Sequence, residues 1–281
     1  MLTTMQAAIL GVLQGVSELF PISSLGHSII LPTLLGWHID QASEYFLPFL
    51  VLTHLATALV LLGFYWREWQ RIIVGVLRSL TTRTIGDDAS ARLGWMLILG
   101  TIPAGLLGLV FQKKLEHLFS NPKLVAAFLF LNGLLLLAGE FMRRRAARQS
   151  VAARSIDADA KLSWTQSVAI GTMQALALLP GFSRTGATIT GGLAAGLSNE
   201  EAARFSFLLA TPIILAAAVL KLPHLLSAPA AILLPAIVGA LFAALGAYLS
   251  VRFLTRYFKT NTLLPFAIYC AIAGALCYLA L

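Results

Sequence analysis

Gln14-Gly15-Val16-Ser17-Glu18-Leu19-Phe20-Pro21-Ile22-Ser23-Ser24-Leu25-Gly26-His27 sets a carboxylate, an amide, three hydroxyls and an imidazole between strongly apolar flanks. An ionisable side chain at membrane depth is costly, so Glu18 marks a functional site by its position alone. The chain on either side is too short to cross a bilayer. Residues 5–20 make a helix of about 24 Å and residues 23–35 one of about 20 Å at ~1.5 Å per residue, against a hydrocarbon core of ~30 Å. Pro21-Ile22-Ser23-Ser24 between them has the form of a turn followed by an N-cap. A second stretch, Pro180-Gly181-Phe182-Ser183-Arg184-Thr185-Gly186-Ala187-Thr188, interrupts the apolar run 164–179 before it resumes over 185–197. Both are expected to be re-entrant helical hairpins, because irregular backbone at membrane depth survives only against protein or a wet cavity.

Around these hairpins the composition is that of an integral membrane protein: 58% hydrophobic and 11% charged residues in 281, with a mean hydropathy of +0.84. Six runs are long enough to span, at 46–66, 93–111, 123–142, 203–221, 230–251 and 263–281. The expected fold is therefore a single all-α membrane domain over 1–281, with six transmembrane helices and two re-entrant hairpins. No basic residue precedes Arg67, so no cleaved leader is expected. Cys270 and Cys277 lie on one helix about 10 Å apart, too far for a disulfide within it.

Basic residues set the orientation. Arg67, Arg71, Arg78, Arg83 and Arg92 fill one connection. Arg143, Arg144, Arg145, Arg148, Arg154 and Lys161 fill the next on that side, and Arg204, Arg252, Arg256 and Lys259 join them if the spans alternate. Only Lys113, Lys114, Lys123 and Lys221 fall opposite. The arginine-rich side is then cytoplasmic, and the net charge of +8 needs no nucleic-acid partner. The first hairpin is expected to enter from outside and the second from the cytoplasm. Glu116 and Glu140, at span ends, are expected to be solvated.

An internal repeat supports this layout. At an offset of 160, Gln6 matches Gln166, Gly11 matches Gly171, Gln14 matches Gln174, Leu19 matches Leu179, Ser23 matches Ser183 and Gly26 matches Gly186. The halves, approximately 1–142 and 164–281, are joined by a basic cytoplasmic loop, 143–163. Each contains one hairpin and three spans, an odd number, so the two have opposite orientation, a recurring design with broken helices meeting at the midplane.

The residue types point to phosphate chemistry. Gln14 and Glu18 share a helix face, with Ser17 beside them. Ser23 and Ser24 open the next half-helix, whose unpaired N–H groups and dipole favour an anion. His27 lies one turn on. Ser183, Thr185 and Gly186 surround Arg184, whose planar fork matches phosphate oxygens. Together they provide a hydroxyl nucleophile, an acid or base, and a cation for developing charge. Plainer readings stand beside these: Ser23 as a simple cap, His27 as an interior histidine, Glu18 as a structural hydrogen-bond partner. His54 is open between a structural and a site-lining role. Gly191, Gly192 and Gly196 suit close helix packing.

The two motifs resemble those of the bacterial undecaprenyl pyrophosphate phosphatases of the bacitracin-resistance family. That family carries (Glu/Gln)-x-x-x-Glu, then Pro-x-Ser-Ser-x-Gly-His, and later Pro-Gly-x-Ser-Arg-(Ser/Thr)-Gly-x-Thr. Here these stand at Gln14–Glu18, Pro21–His27 and Pro180–Thr188, and Glu200-Glu201-Ala202-Ala203-Arg204-Phe205-Ser206-Phe207 is also similar. The resemblance implies a phosphatase of the bacterial inner membrane that opens to the periplasm. Its reaction would be hydrolysis of undecaprenyl pyrophosphate to the monophosphate carrier of peptidoglycan synthesis, with bacitracin resistance as a consequence. It implies Ser24 as nucleophile, Glu18 and His27 as the acid–base pair, Arg184 with Ser183 as the pyrophosphate clamp, and Gln14, Ser23, Thr185 and Gly186 as phosphate contacts. A divalent cation, Mg²⁺ or Ca²⁺, with Glu18 as a ligand, is a further expectation, as is a homo-oligomer. No organic cofactor is expected. Gln14 stands where many members carry Glu, and Leu25 where many carry Thr or Ser. The competing class is a polyprenyl-phosphate transporter or flippase without hydrolysis, which the same repeat and buried arginine would serve. The concentration of hydroxyls, Glu18 and His27 at one place favours the enzyme.

Overall fold

A computed structural model describes residues 2–37, 39, 43, 45–116, 118, 121–148 and 162–281. These form an all-α membrane protein, with no β-strand among the described residues. The helices of the first half are α1 (Thr4–Ser17), α2 (Ser24–Leu34), α3 (Phe46–Phe64), α4 (Trp66–Thr82), α5 (Ala89–Glu116) and α6 (Pro122–Arg148). Those of the second are α7 (Trp164–Gln174), continued by a 3₁₀ turn Ala175–Leu178, α8 (Arg184–Ala194), α9 (Asn199–Leu226), α10 (Ala230–Thr260) and α11 (Leu264–Ala280). Five stretches are long and apolar enough to span a membrane: Phe46–Phe64, Ala89–Phe111, Pro122–Arg145, Asn199–Pro223 and Ala230–Thr260. The sixth expected span is a shorter apolar helix, α11, of 17 residues.

Local chemistry places the ends of the short helices alike in both halves. Thr3 and Gln6 form a capping box at the start of α1, with reciprocal bonds of 3.2 and 2.9 Å. Ser163 and Gln166, 160 residues later, repeat it at α7 with 2.9 and 3.2 Å. The chain then breaks at Pro21 and at Pro180-Gly181, and each restart is capped by a serine: Gly26 N donates to Ser23 Oγ and Gly186 N to Ser183 Oγ, both at 3.1 Å.

The halves interlock. The first short helix of each packs mainly on the middle long helix of the other, α1 on α10 and α7 on α5, while α3 meets α9 and α6 meets α11. Glycine permits both cross-half contacts, because a Cβ at Gly11 would strike the carbonyl of Gly239, and one at Gly171 the carbonyl of Gly100. A continuous core including Leu19, Leu97, Leu129, Ile170, Phe205 and Phe258 runs through both halves.

Three sequence expectations need correction. The basic connection after α3 is not a loop: most of it is α4, amphipathic, with Ile72, Gly75 and Ser79 buried and Trp66, Ile73, Leu77 and Leu80 exposed. Its apolar residues recur at helical period but never form a long run, so a search for spans passes over it; such helices lie along membrane surfaces. Trp95 Nε1 donates to Ser79 Oγ at 2.9 Å, and Glu68 pairs with Arg204 of α9. Glu140 is not solvated but 3% exposed, paired to Arg143 at 2.8 Å and Arg144 at 2.7 Å. Of the loop expected at 143–163, residues 143–148 continue α6, and 149–161 lie outside the described residues.

Substituting Leu for Gly11 or Gly171 should destabilise the fold by about 1–3 kcal/mol or more through overpacking at the helix crossing. A fall in the Tm of detergent-purified protein checks this, and an unchanged Tm would mean that the helices do not cross at these glycines.

Candidate functional site

The two breaks meet. Glu18 terminates α1, and Arg184 is the first residue of α8. Arg184 Nη2 and Nε donate to Glu18 Oε1 at 2.8 and 3.2 Å across 166 residues of sequence. Glu18 is buried at 5% exposure, and Arg184 is largely covered at 11%. The other carboxylate oxygen, Oε2, accepts from Ser24 Oγ at 2.5 Å and from Gln14 Nε2 at 3.2 Å. Ser24 is itself the first residue of α2. Under the repeat offset Ser24 and Arg184 are therefore equivalent, each opening a half-helix whose free N–H groups favour an anion.

Ser24 is held there by strained backbone. Ser23, its N-cap, has φ 71° and ψ 99°, a region that disfavours a residue with a Cβ, and such conformations cost on the order of 1–3 kcal/mol and collect at functional sites. Its equivalent, Ser183, is unstrained at φ −88°.

The two histidines divide differently from the sequence expectation. His27 turns away from Glu18: Nδ1 bonds the Ser23 carbonyl at 2.6 Å, and Nε2 bonds Tyr269 Oη at 2.8 Å. Its ring stacks on Tyr269. The imidazole brought to Glu18 and Ser24 is that of His54, with Nε2 3.2 Å from Glu18 Oε2 and 3.5 Å from Ser24 Oγ. Because His54 Nδ1 lies 2.6 Å from the Leu50 carbonyl, it must donate there, which aims Nε2 at the reacting cluster.

The remaining expected contacts have partners within the protein. Thr185 Oγ1 donates to the Glu18 carbonyl at 2.8 Å, and Ser183 Oγ and Gly186 N are spent on each other. Gln14 holds the carboxylate from behind. Asn132 of α6, which the sequence reading missed, joins both breaks: Nδ2 donates to the Pro21 carbonyl and Oδ1 accepts from Ser183 N, each at 3.0 Å. Its signal was a lone amide inside an apolar run, with nothing local to name its partners.

A cavity of about 360 Å³ reaches this cluster. Glu18, Ser23, Ser24, His54, Ser183 and Arg184 line one part of it, and Leu47, Leu50, Val51, Leu109 and Ile213 form apolar walls; Lys221 lines it too. The donor set does not fit a cation held by protein alone. Mg²⁺ and Ca²⁺ take six or more oxygens, preferably from carboxylates, and no group of three His, Cys, Asp or Glu stands together among the described residues. Glu18 is also already bonded through both oxygens.

Comparison with known proteins agrees with the motifs. The family model described as bacitracin resistance protein BacA matches residues 7–276, and the chain belongs to that family. A protein named undecaprenyl-diphosphatase from Mycolicibacterium paratuberculosis is 47% identical, over 97% of this chain and 95% of its own length. One of that name from Acidiphilium cryptum is 46% identical, over 98% and 97%. The relative named undecaprenyl-diphosphatase 2 from Burkholderia thailandensis is 47% identical, over 95% and 93%.

Removing Glu18 alone leaves a buried guanidinium unpaired. Glu18→Gln should lose about 3–5 kcal/mol of stability, and adding Arg184→Gln should restore much of it. Thermal unfolding of the single and double variants decides the matter; equal Tm values would show that the two side chains are not coupled.

Proposed function

We infer that the chain is an undecaprenyl-diphosphatase, releasing phosphate from undecaprenyl pyrophosphate and returning the monophosphate carrier lipid to peptidoglycan synthesis. The observation that carries this reading is Ser24 Oγ bonded to Glu18 at 2.5 Å inside a cavity shared with Arg184, in a chain of this family. The apolar walls suit a prenyl tail and the polar part its diphosphate.

In the proposed reaction Ser24 Oγ attacks the terminal phosphorus while its proton passes to Glu18 Oε2. The bond from that phosphorus to the bridging oxygen breaks, so the lipid monophosphate leaves and a phosphoserine remains. Water then cleaves the phosphoserine, giving phosphate and restoring the hydroxyl. His54 Nε2 is placed to exchange a proton with Glu18 and Ser24. Arg184, released in part from Glu18 by the incoming diphosphate, takes phosphoryl oxygens by parallel N–H bonds. His27 acts through backbone, holding the Ser23 carbonyl and with it the strained turn that aims Ser24.

We further propose six spans and two re-entrant hairpins of opposite orientation in the bacterial inner membrane, with the cavity open to the periplasm. The matching caps, the breaks at Pro21 and Pro180, and the cross-half packing of α1 and α7 support the arrangement. The arginine bias supports the orientation, and Lys221, on the arginine-poor outer side, lines the cavity.

Ser24→Ala and Arg184→Ala should abolish phosphate release by purified, folded protein, and Arg184→Lys should lose most of it. His54→Ala should cost on the order of 10²-fold in kcat and change the shape of the pH–rate profile. His27→Ala should lower kcat without changing that shape, and the reverse pattern would give His27 the proton-transfer role. For orientation, Lys221→Cys in a background with Cys270 and Cys277 replaced by Ser should react with an impermeant thiol reagent added outside intact cells. Labelling only after the cytoplasmic face is opened would reverse the assigned side.

A further inference from the structure

Gln174 ends α7 and is 2% exposed, yet neither its amide nitrogen nor its amide oxygen has a hydrogen-bond partner within the protein. It lines the same cavity as Glu18, Ser24 and Arg184. A buried amide with both ends unmet is unfavourable, and native structures rarely keep one unless something other than the protein satisfies it.

The repeat explains how this amide came to be free. Its equivalent, Gln14, donates to Glu18 four residues later. The residue four after Gln174 is Leu178, which offers no acceptor. The same helix position thus holds an amide in both halves, and only the first has a partner in the protein. In the second the residue lines the cavity from the other hairpin, and its buried amide bonds none of Glu18, Ser24 or Arg184. Arg184 offers only part of its fork to a diphosphate, because Nε and Nη2 also donate to Glu18 and Nη1 donates to the Ser206 carbonyl at 3.4 Å.

We propose that Gln174 forms a second phosphate subsite, its Nε2 donating to an oxygen of the phosphoryl group that stays on the prenyl chain, while Ser24 and Arg184 engage the terminal one. This rests on the diphosphatase reading and adds a consequence to it. A ligand with two phosphoryl groups fills both subsites and a monophosphate only one, so the site holds the diphosphate substrate in preference to its own lipid product.

The test compares two probes on purified protein: a prenyl methylene-diphosphonate, which cannot be hydrolysed at the bridge, and the prenyl monophosphate. Gln174→Met keeps side-chain length and removes the amide. It should weaken diphosphonate binding about tenfold or more, the effect expected of one hydrogen bond to a charged group. Binding of prenyl monophosphate, whose single phosphoryl group is the one Gln174 holds, should weaken by a similar factor, KM should rise more than kcat falls, and Tm should not drop, since no protein hydrogen bond is lost. Gln174→Asn, which withdraws the amide by one methylene, should give the same binding pattern and serves as the reading if the Met variant folds poorly. Unchanged binding of either probe, or a lowered Tm, would overturn the subsite. A wild-type protein that releases no phosphate from prenyl diphosphates would instead sink the diphosphatase reading, and the binding comparison would still report on Gln174.

Discussion

Glu18 and Arg184 are each untenable alone at membrane depth, and their contact is the constraint on which the rest of the arrangement depends. A carboxylate and a guanidinium with this little exposure must neutralise each other or bring water with them. They come from helices too short to span, in opposite halves of the chain, so satisfying the charge brings two chain breaks together. Everything that holds the breaks in register then serves the pair. Asn132 bonds backbone at both, Thr185 bonds the Glu18 carbonyl, and paired glycines let α1 and α7 press into the opposite half.

The repeat supplies the scaffold, and departures from the repeat supply the chemistry. Caps, chain breaks and helix crossings recur at the same offset. Against that shared backbone Ser24 is matched by Arg184, Glu18 by Leu178, His27 by Ala187 and His54 by Ile214. Two half-helix N-termini are thus aimed at one cavity, one carrying a hydroxyl and the other a permanent cation. For the reaction proposed above, a symmetric pair of hydroxyls would lack charge stabilisation, and a symmetric pair of arginines would lack a nucleophile. Backbone strain is asymmetric in the same way, stored at Ser23 and absent at Ser183.

Local rules explain how much of this was legible in advance. Apolar run length located five helices long enough to span and a shorter sixth, α11, and proline with serine located the breaks and restarts to within a residue or two. The isolation of Glu18 and Arg184 in apolar sequence marked them as partners for something buried. α4 escaped because its apolar residues follow a helical stripe without forming a run, and Glu140 escaped because its two arginines lie three and four residues on, beyond the end of the apolar run.

The sequence by itself determined an all-α membrane protein with two broken helices and the residues at each break. Those properties depend on hydropathy, backbone propensity and capping, which act over a few residues. Only the tertiary structure decided that His54 and not His27 reaches Glu18, that Asn132 joins the two breaks, and that Gln174 is left with a free amide. Each of these turns on which way a side chain points between helices that are distant in sequence, and that direction is fixed by packing across the whole fold.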